Sequence, residues 1–420
     1  MITFEEISGL SQNVIKSIGP GILLAGAAIG VSHLVQSTRA GAEFGYILLP
    51  ALLIACLSKY PFMLFAAHYT ATEQKDLLEG YSELGKWPLR LFYLIHFSSM
   101  FIITAAVTLV TAGIVSFLTS LSVNISAGFI LAFIALLLVI GNYSGLDFLM
   151  KIIISTLTVM TFIAVILALG IDKNTNLYAF DHPEIFTVSG LSFLVAFMGW
   201  MPIPLDASVW HSMWTTEKIK TLPLQDRKSN IVWDFKLGYV AASLIAVLFF
   251  LLGTLVLFGT GNNFADSSVV FVHQFVQLYA SVFGQWSQYL VSIAALITMV
   301  STTLAVADAY PRVSAKIIRR NFRIQATNEK SIYIASLLTI VLGAVAIIYV
   351  LPDSLGILVD FAAGLSFTTS PLLAYFNYRL VKKMQKKGKY HLSKGVEILS
   401  FVSLAILICI TLIYLYNLVT

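Results

Sequence analysis

Charged side chains are scarce in this chain of 420 residues: Asp, Glu, Lys and Arg make up only 11%, against roughly a quarter in an average soluble domain. Too few charges remain to cover a water-facing surface. Hydrophobic residues reach 58% with a mean hydropathy of +0.87, so the chain reads as an all-α integral membrane protein. Cysteine is nearly missing. Cys56 and Cys409 both fall inside apolar runs, which predicts packed thiols and excludes a disulfide scaffold or a thiolate metal site. No glycine-rich loop with its lysine is present to cradle phosphate, which excludes direct coupling to nucleotide hydrolysis. Nor are there paired acids, a zinc-binding histidine pair or a nucleophile with its base at useful spacing, so an enzyme is not indicated. No cleavable signal is expected either: Glu5 and Glu6 precede the first apolar stretch and no small-residue cleavage pattern follows a short core. That stretch is expected to serve as its own insertion signal.

What is present is a series of apolar segments of crossing length, about 20 residues each. They lie near 17–41, 46–70, 91–119, 126–141, 149–170, 187–213, 233–259, 284–310, 331–351, 354–378 and 397–417. The count is about eleven, with ten or twelve open because the fourth is short. The net charge of +5 does not point to nucleic acid, because the basic residues sit in alternate loops, from Arg312 to Lys330 and from Arg379 to Lys394. Lys173 is the clear basic residue on the opposite side. The positive-inside rule then predicts a multi-pass protein of the cell membrane with a cytoplasmic N-terminus and an external C-terminus. The partners implied are the lipid bilayer and a small solute or ion; no obligate protein partner is evident.

Two segments do not read as plain helices. From Gly19 to Tyr46 the first span runs GPGILLAGAAIGVSHLVQSTRAGAEFGY; small residues crowd its centre, and helix propensity falls where hydrocarbon should surround the backbone. The sixth, FLVAFMGWMPIPLDASVWHSMW from Phe193 to Trp214, is interrupted by Gly199, Pro202 and Pro204, and two prolines this close predict a break. Gly30 and Pro202 are expected to mark the breaks, with non-helical backbone from Ala28 to His33 and from Gly199 to Asp206. Unwound backbone at bilayer depth is tolerated only where protein or a watery cavity receives it.

Five spans per half is an odd number, so a second half of the same fold must insert upside down. The expectation is an inverted 5+5, LeuT-like repeat in one transmembrane domain covering 1–420, with repeat one near 17–170, repeat two near 187–380 and an accessory helix near 397–417. The polar outer loop 171–186, with Asp172, Lys173, Asp181, His182 and Pro183, marks the halfway point. In such folds the substrate sits where the two broken helices meet.

At this point the chain resembles the Nramp metal-transporter family. The first-span motif of that family, Gly-Pro-Gly at the start and Ala-Gly-Ala then Gly-Tyr at the end, matches Gly19, Pro20, Gly21, Ala40, Gly41, Ala42, Gly45 and Tyr46. The family's Met-Pro-His-Asn region is matched by Met201 and Pro202, and its following His-Ser by His211 and Ser212, the two anchors differing by three residues. The resemblance implies alternating-access symport of a divalent metal such as manganese, iron or magnesium, with no resident cofactor and with proton coupling. Two departures stand out. Where the family has Asp-Pro-Gly-Asn this chain has Gly30, Val31, Ser32 and His33, and the third span lacks the family's acids.

The residues offer other groups. His33 can present a neutral imidazole to a transition metal, and Asp206 supplies a carboxylate beside the second break, although it could instead cap the following half-helix, as could Ser32. Gly30 and Met201 can lend backbone carbonyls, since both first half-helices end with their negative dipoles inward. The substrate-binding candidates are therefore Gly30, Ser32, His33, Met201 and Asp206, with Asp206 and His33 as metal ligands. Arg39, Glu43, Lys59 and His211 are coupling or gating candidates: Arg39 and Glu43 share a helix face, and a lysine in mid-span is costly unless functional or paired. Ser301, Thr302 and Thr303 could line a polar path or bond their own backbone. His96 and Asp147 are expected to be interfacial, Asp308 and Asp360 structural. A small organic solute such as an amino acid remains the alternative, because His33 and Arg39 would favour an anion.

Overall fold

The computed structural model describes residues 19–141, 144–170, 185, 187–220, 227–260, 264–265, 267–322, 328–351 and 354–419. Glu5, Glu6, Asp172, Lys173, Asp181, His182 and Pro183, with the side chain of Asp147, lie outside the described residues. The first span opens at Pro20, whose fixed φ suits a first helical turn, and the Asp234 carboxylate takes the free amides of Gly19 and Gly21 at 3.2 and 2.6 Å. Helix Pro20–Ala28 then stops, with Ile29 at φ −76° and ψ 72°. The chain resumes winding at once through a π-helix, Ser32–Ser37, and an α-helix, Thr38–Phe44.

The first break is therefore shorter than the sequence suggests. It is confined to Ile29 and Gly30, because Val31 is already helical (φ −54°, ψ −40°) and the amides of His33 and Leu34 return to Gly30 O at 3.1 and 2.8 Å. The sixth span also breaks over less than the expected Gly199–Asp206: Gly199 and Trp200 still belong to helix Val188–Trp200, because their amides precede the prolines, and only Met201–Asp206 separates it from helix Ala207–Ile219.

Among the described residues the remaining spans are Leu49–Glu73, Lys86–Thr119, Val123–Ile140, Ser144–Ala168, Arg227–Val256, Ser287–Phe322, Glu329–Val350, Leu355–Lys386 and Lys394–Val419, which with the two broken ones reproduces the eleven. Two further helices escaped the hydropathy count. Leu77–Leu84 begins where Asp76 accepts from the Glu79 amide at 3.0 Å and buries Leu77, Leu78 and Tyr81; Ser268–Phe283 precedes the eighth span.

Close approach between backbones replaces hydrophobic driving force inside a membrane bundle. A Cβ on Gly21 would lie 2.1 Å from Asp234 O, and one on Gly238 2.0 Å from Gly21 O, so the first and seventh spans touch backbone to backbone. A Cβ on Gly199 would lie 2.1 Å from Ala363 O, which presses the first half of the sixth span on the tenth. The eleventh span stands at the edge, with 22% of its most apolar window buried. Cys56 is buried as expected, but Cys409 on this edge helix is exposed on the protein surface.

Candidate transport site at the two helix breaks

Proline has no amide to donate, and in a continuous helix residue i donates to i−4. Pro202 and Pro204 therefore deprive the carbonyls of Met198 and Trp200 of their donors, and the break removes the Ile203 amide from Gly199 O as well. Lys59 of the second span fills part of this gap. Its ammonium donates to Met198 O at 2.7 Å, Gly199 O at 2.5 Å and Ile203 O at 3.5 Å, and the residue is 0% exposed. The charge is met by carbonyl dipoles at the negative end of a half-helix.

Across the break sits Asp206. Its position is that of an N-cap, yet its side chain makes no capping hydrogen bond. The residue is 7% exposed and its Oδ1 is buried with no hydrogen-bond donor among the described residues. A buried carboxylate oxygen with no partner costs several kcal/mol unless a cation meets it. The charges of Lys59 and Asp206 lie near enough to act on each other, and this is the pair of candidates that the structure brings together at one break.

The first break is sewn to the eighth span. Thr302 Oγ1 lies 3.3 Å from both Gly26 O and Ile29 O and 3.2 Å from Thr298 O, so one hydroxyl proton is shared among three acceptors. Gly30 packs directly on this side chain. Ser32 does not cap; its hydroxyl donates back to Ala28 O and lies 2.8 Å from His33 Nδ1. His33 Nε2 is 2.8 Å from Ala242 O of the seventh span; a carbonyl only accepts, so Nε2 carries the proton. The single Ser32 proton is shared between Ala28 O and Nδ1, and with Nε2 protonated and bound to Ala242 the ring is held on both sides, so a metal would reach Nδ1 only by displacing Ser32. Met201 is fully buried within the sixth break.

Arg39 and Glu43 pair at 3.3 Å as the spacing predicts. Arg39 also reaches Asp360 of the tenth span at 3.6 Å and lies over the Phe193 ring, 5.2 Å from its centroid. Gln36 Nε2 donates to Asp360 at 2.7 Å. Sequence reasoning missed Gln36, and it placed Asp360 as merely structural because a pairing 324 residues apart leaves no local pattern. His211 is buried against Phe235, 5.4 Å between ring centroids, with Nε2 unpartnered among the described residues. His96 is not interfacial: it is 3% exposed and bonds Ser314 at 2.8 Å. Asp308 accepts from Arg312, Tyr333 and Trp214, tying the eighth span to the ninth and to the second half of the sixth. A cavity of about 310 Å³ lies at the far end of that second half, between Gln74, Lys220 and Lys316.

No group of three or more His, Cys, Asp or Glu side chains able to hold a metal occurs among the described residues. A cation at the breaks would depend on one carboxylate and carbonyl dipoles, a weaker and more oxygen-rich set than a histidine cluster.

Comparison with known proteins agrees with this arrangement. The Nramp family profile, natural resistance-associated macrophage protein-like, matches residues 21–417. An uncharacterised protein of Pasteurella multocida is 33% identical over 98% of this chain and 96% of its own. Among solved structures, a mutant of the Eremococcus coleocola manganese transporter superposes with a TM-score of 0.72 at 14% identity, over 96% of this chain and 86% of that one. MhsT in complex with L-phenylalanine gives 0.64 at 16% identity, over 94% and 98% of the two chains. At such identities the structural likeness speaks for the fold, which is LeuT-like. With the profile spanning both breaks and nearly every residue between them, the chain belongs to the Nramp family of metal-ion transporters.

Proposed function

We propose that the protein is a secondary active transporter that binds a divalent cation, manganese, iron or magnesium, at the two breaks and moves it across the plasma membrane by alternating access. The observation that carries this reading is the Asp206 carboxylate: buried, beside the sixth-span break, and with an oxygen that no donor meets. Asp206 takes over the charge that the first span lacks at Gly30, and the break carbonyls that Lys59 does not occupy complete the oxygen set. The two repeats, near 17–170 and 187–380, move against each other around the site, with 397–417 accessory. The Gln36–Arg39–Asp360 network closes the outer side. The pairs of Lys316 with Asp76 and Glu79 close the inner side, where the N-terminus and the basic loops reside.

The test is uptake by proteoliposomes of manganese, iron, magnesium and amino acids, with protons followed in parallel. Asp206→Asn keeps size and capping ability while deleting the charge, so a monodisperse variant should lose metal affinity by at least about 10–100-fold, the range seen when even an outer partner of a metal site is removed. Wild-type-like metal uptake by that variant would sink the assignment. Movement of an amino acid without metal flux by the wild type would move the function to organic solutes.

A further inference from the structure

The breaks of such folds leave carbonyls that need a positive partner, and here one of them is already supplied. Lys59 sits in the second span, outside both broken helices, and its described partners are all backbone carbonyls of the sixth break: Met198, Gly199 and Ile203. An ammonium has three protons and no acceptor; three carbonyls receive them. The geometry excludes a contact salt bridge: Asp206 acts on the ammonium through space, but no carboxylate lies among its hydrogen-bond partners. It also excludes snorkelling, since the residue is 0% exposed. What remains is a cation on a stem, held in a ring of carbonyl oxygens of the kind that replaces the hydration shell of a small monovalent ion.

We infer that the Lys59 ammonium is the resident cation of the sixth-span break, occupying a coordination position that, once vacated, binds an alkali cation or a small primary ammonium ion. The carbonyls of Met198 and Gly199 are fixed by helix Val188–Trp200, which the contact of Gly199 with Ala363 holds on the tenth span. The ring therefore outlasts the loss of the lysine. The tethered charge also explains how the break stays satisfied in a carrier with no cargo bound: the positive partner travels with the protein. A monovalent ion is then a component the wild type does not require, and a cation at Asp206 is a second, separate positive charge.

The inference is independent of which solute is transported, and so is its test. Full-length wild type, Lys59→Ala and Lys59→Met are purified in choline chloride and titrated with sodium, potassium or methylammonium chloride at constant ionic strength. Melting temperature and bound radiolabelled sodium or rubidium are the readouts. Lys59→Ala should melt lower than wild type in choline and recover several degrees, saturably, with one of the small cations, because a ligand that binds only the folded state raises the transition by mass action. It should also bind labelled cation where the wild type binds none. Lys59→Met fills the stem's volume without the charge and should stay low in every salt. Three results overturn the inference: Lys59→Ala melting alike in choline and in every small cation, Lys59→Ala unrecoverable in any of them, or Lys59→Met as stable in choline as the wild type.

Discussion

A Cβ at Gly30 would stand 2.4 Å from Thr302 Oγ1, 2.5 Å from Cγ2 and 2.8 Å from Cβ, where ordinary contacts need about 3.5 Å. Gly30→Ala must therefore displace a short β-branched side chain by about an ångström, and threonine has no flexible end that could move aside. Overpacking of this kind costs roughly 1–3 kcal/mol. The lower entropy of the unfolded alanine chain returns about 0.4–1 kcal/mol, which leaves a net loss of about 1–2 kcal/mol and a melting temperature lower by a few degrees. Thr302→Ala removes the two nearer atoms and also the hydroxyl that serves Gly26 O and Ile29 O, at a cost of about 0.5–1.5 kcal/mol. Combined, the two substitutions should be less harmful than their sum by about 0.5–3 kcal/mol, the range for residues in contact. The assay is melting of the four proteins of the double-mutant cycle in one detergent. Strict additivity, or a Gly30→Ala protein that melts with the wild type, would show that the first break is not seated on the eighth span as described.

His33→Ala should lower the melting temperature, through loss of the buried hydrogen bond to Ala242 O, which keeps its helical donor, at a cost of about 0.5–1.5 kcal/mol, while the ratio of manganese to magnesium uptake stays unchanged; a changed ratio would restore His33 as a ligand. Glu83 is held down to about 2 from its usual 4.5, chiefly by the hydrogen bond from Lys75 and further by Lys383. A depressed carboxyl stabilises the fold fully above its unfolded value, and that contribution is lost as pH falls from about 4.5 toward about 2. The melting gap between wild type and Glu83→Gln should therefore be widest near neutrality and close in acid, and a gap of constant size across that window would refute the pairing. For topology, introduced thiols at positions 181 and 262, outside the described residues, should react with an impermeant reagent in intact cells, and one at 319 should not; labelling at 319 reverses the orientation.

The spans were legible because each must be apolar over a crossing length, and the sixth break because Pro202 and Pro204 cannot donate. Other parts left weaker traces. Small residues permit a break without forcing one, so the run from Ala25 to Gly30 showed where the first helix could fail but not that it would resume at Val31. Helix Leu77–Leu84 is too short for a hydropathy window, and only Asp76 three residues before Glu79 announced it. Lys59 was legible as a costly residue but not as a ligand of carbonyls, because backbone atoms carry no letter.

Proline is the exception, since it marks by its own position which carbonyl four residues earlier loses a donor. That count names Met198 and Trp200 from Pro202 and Pro204, and Met198 is one of the carbonyls Lys59 reaches. Applied to Pro61, Pro311 and Pro371 it names Leu57, Ala307 and Phe367, yet those helices run on through their prolines. One missing donor can be absorbed by a bend, because the turns on either side keep their hydrogen bonds. Two missing donors two residues apart fall within a single turn, and the lone Ile203 amide between them is too little to carry the helix across. The spacing of the prolines, rather than their presence, is what opens the sixth span and exposes the carbonyls that Lys59 meets.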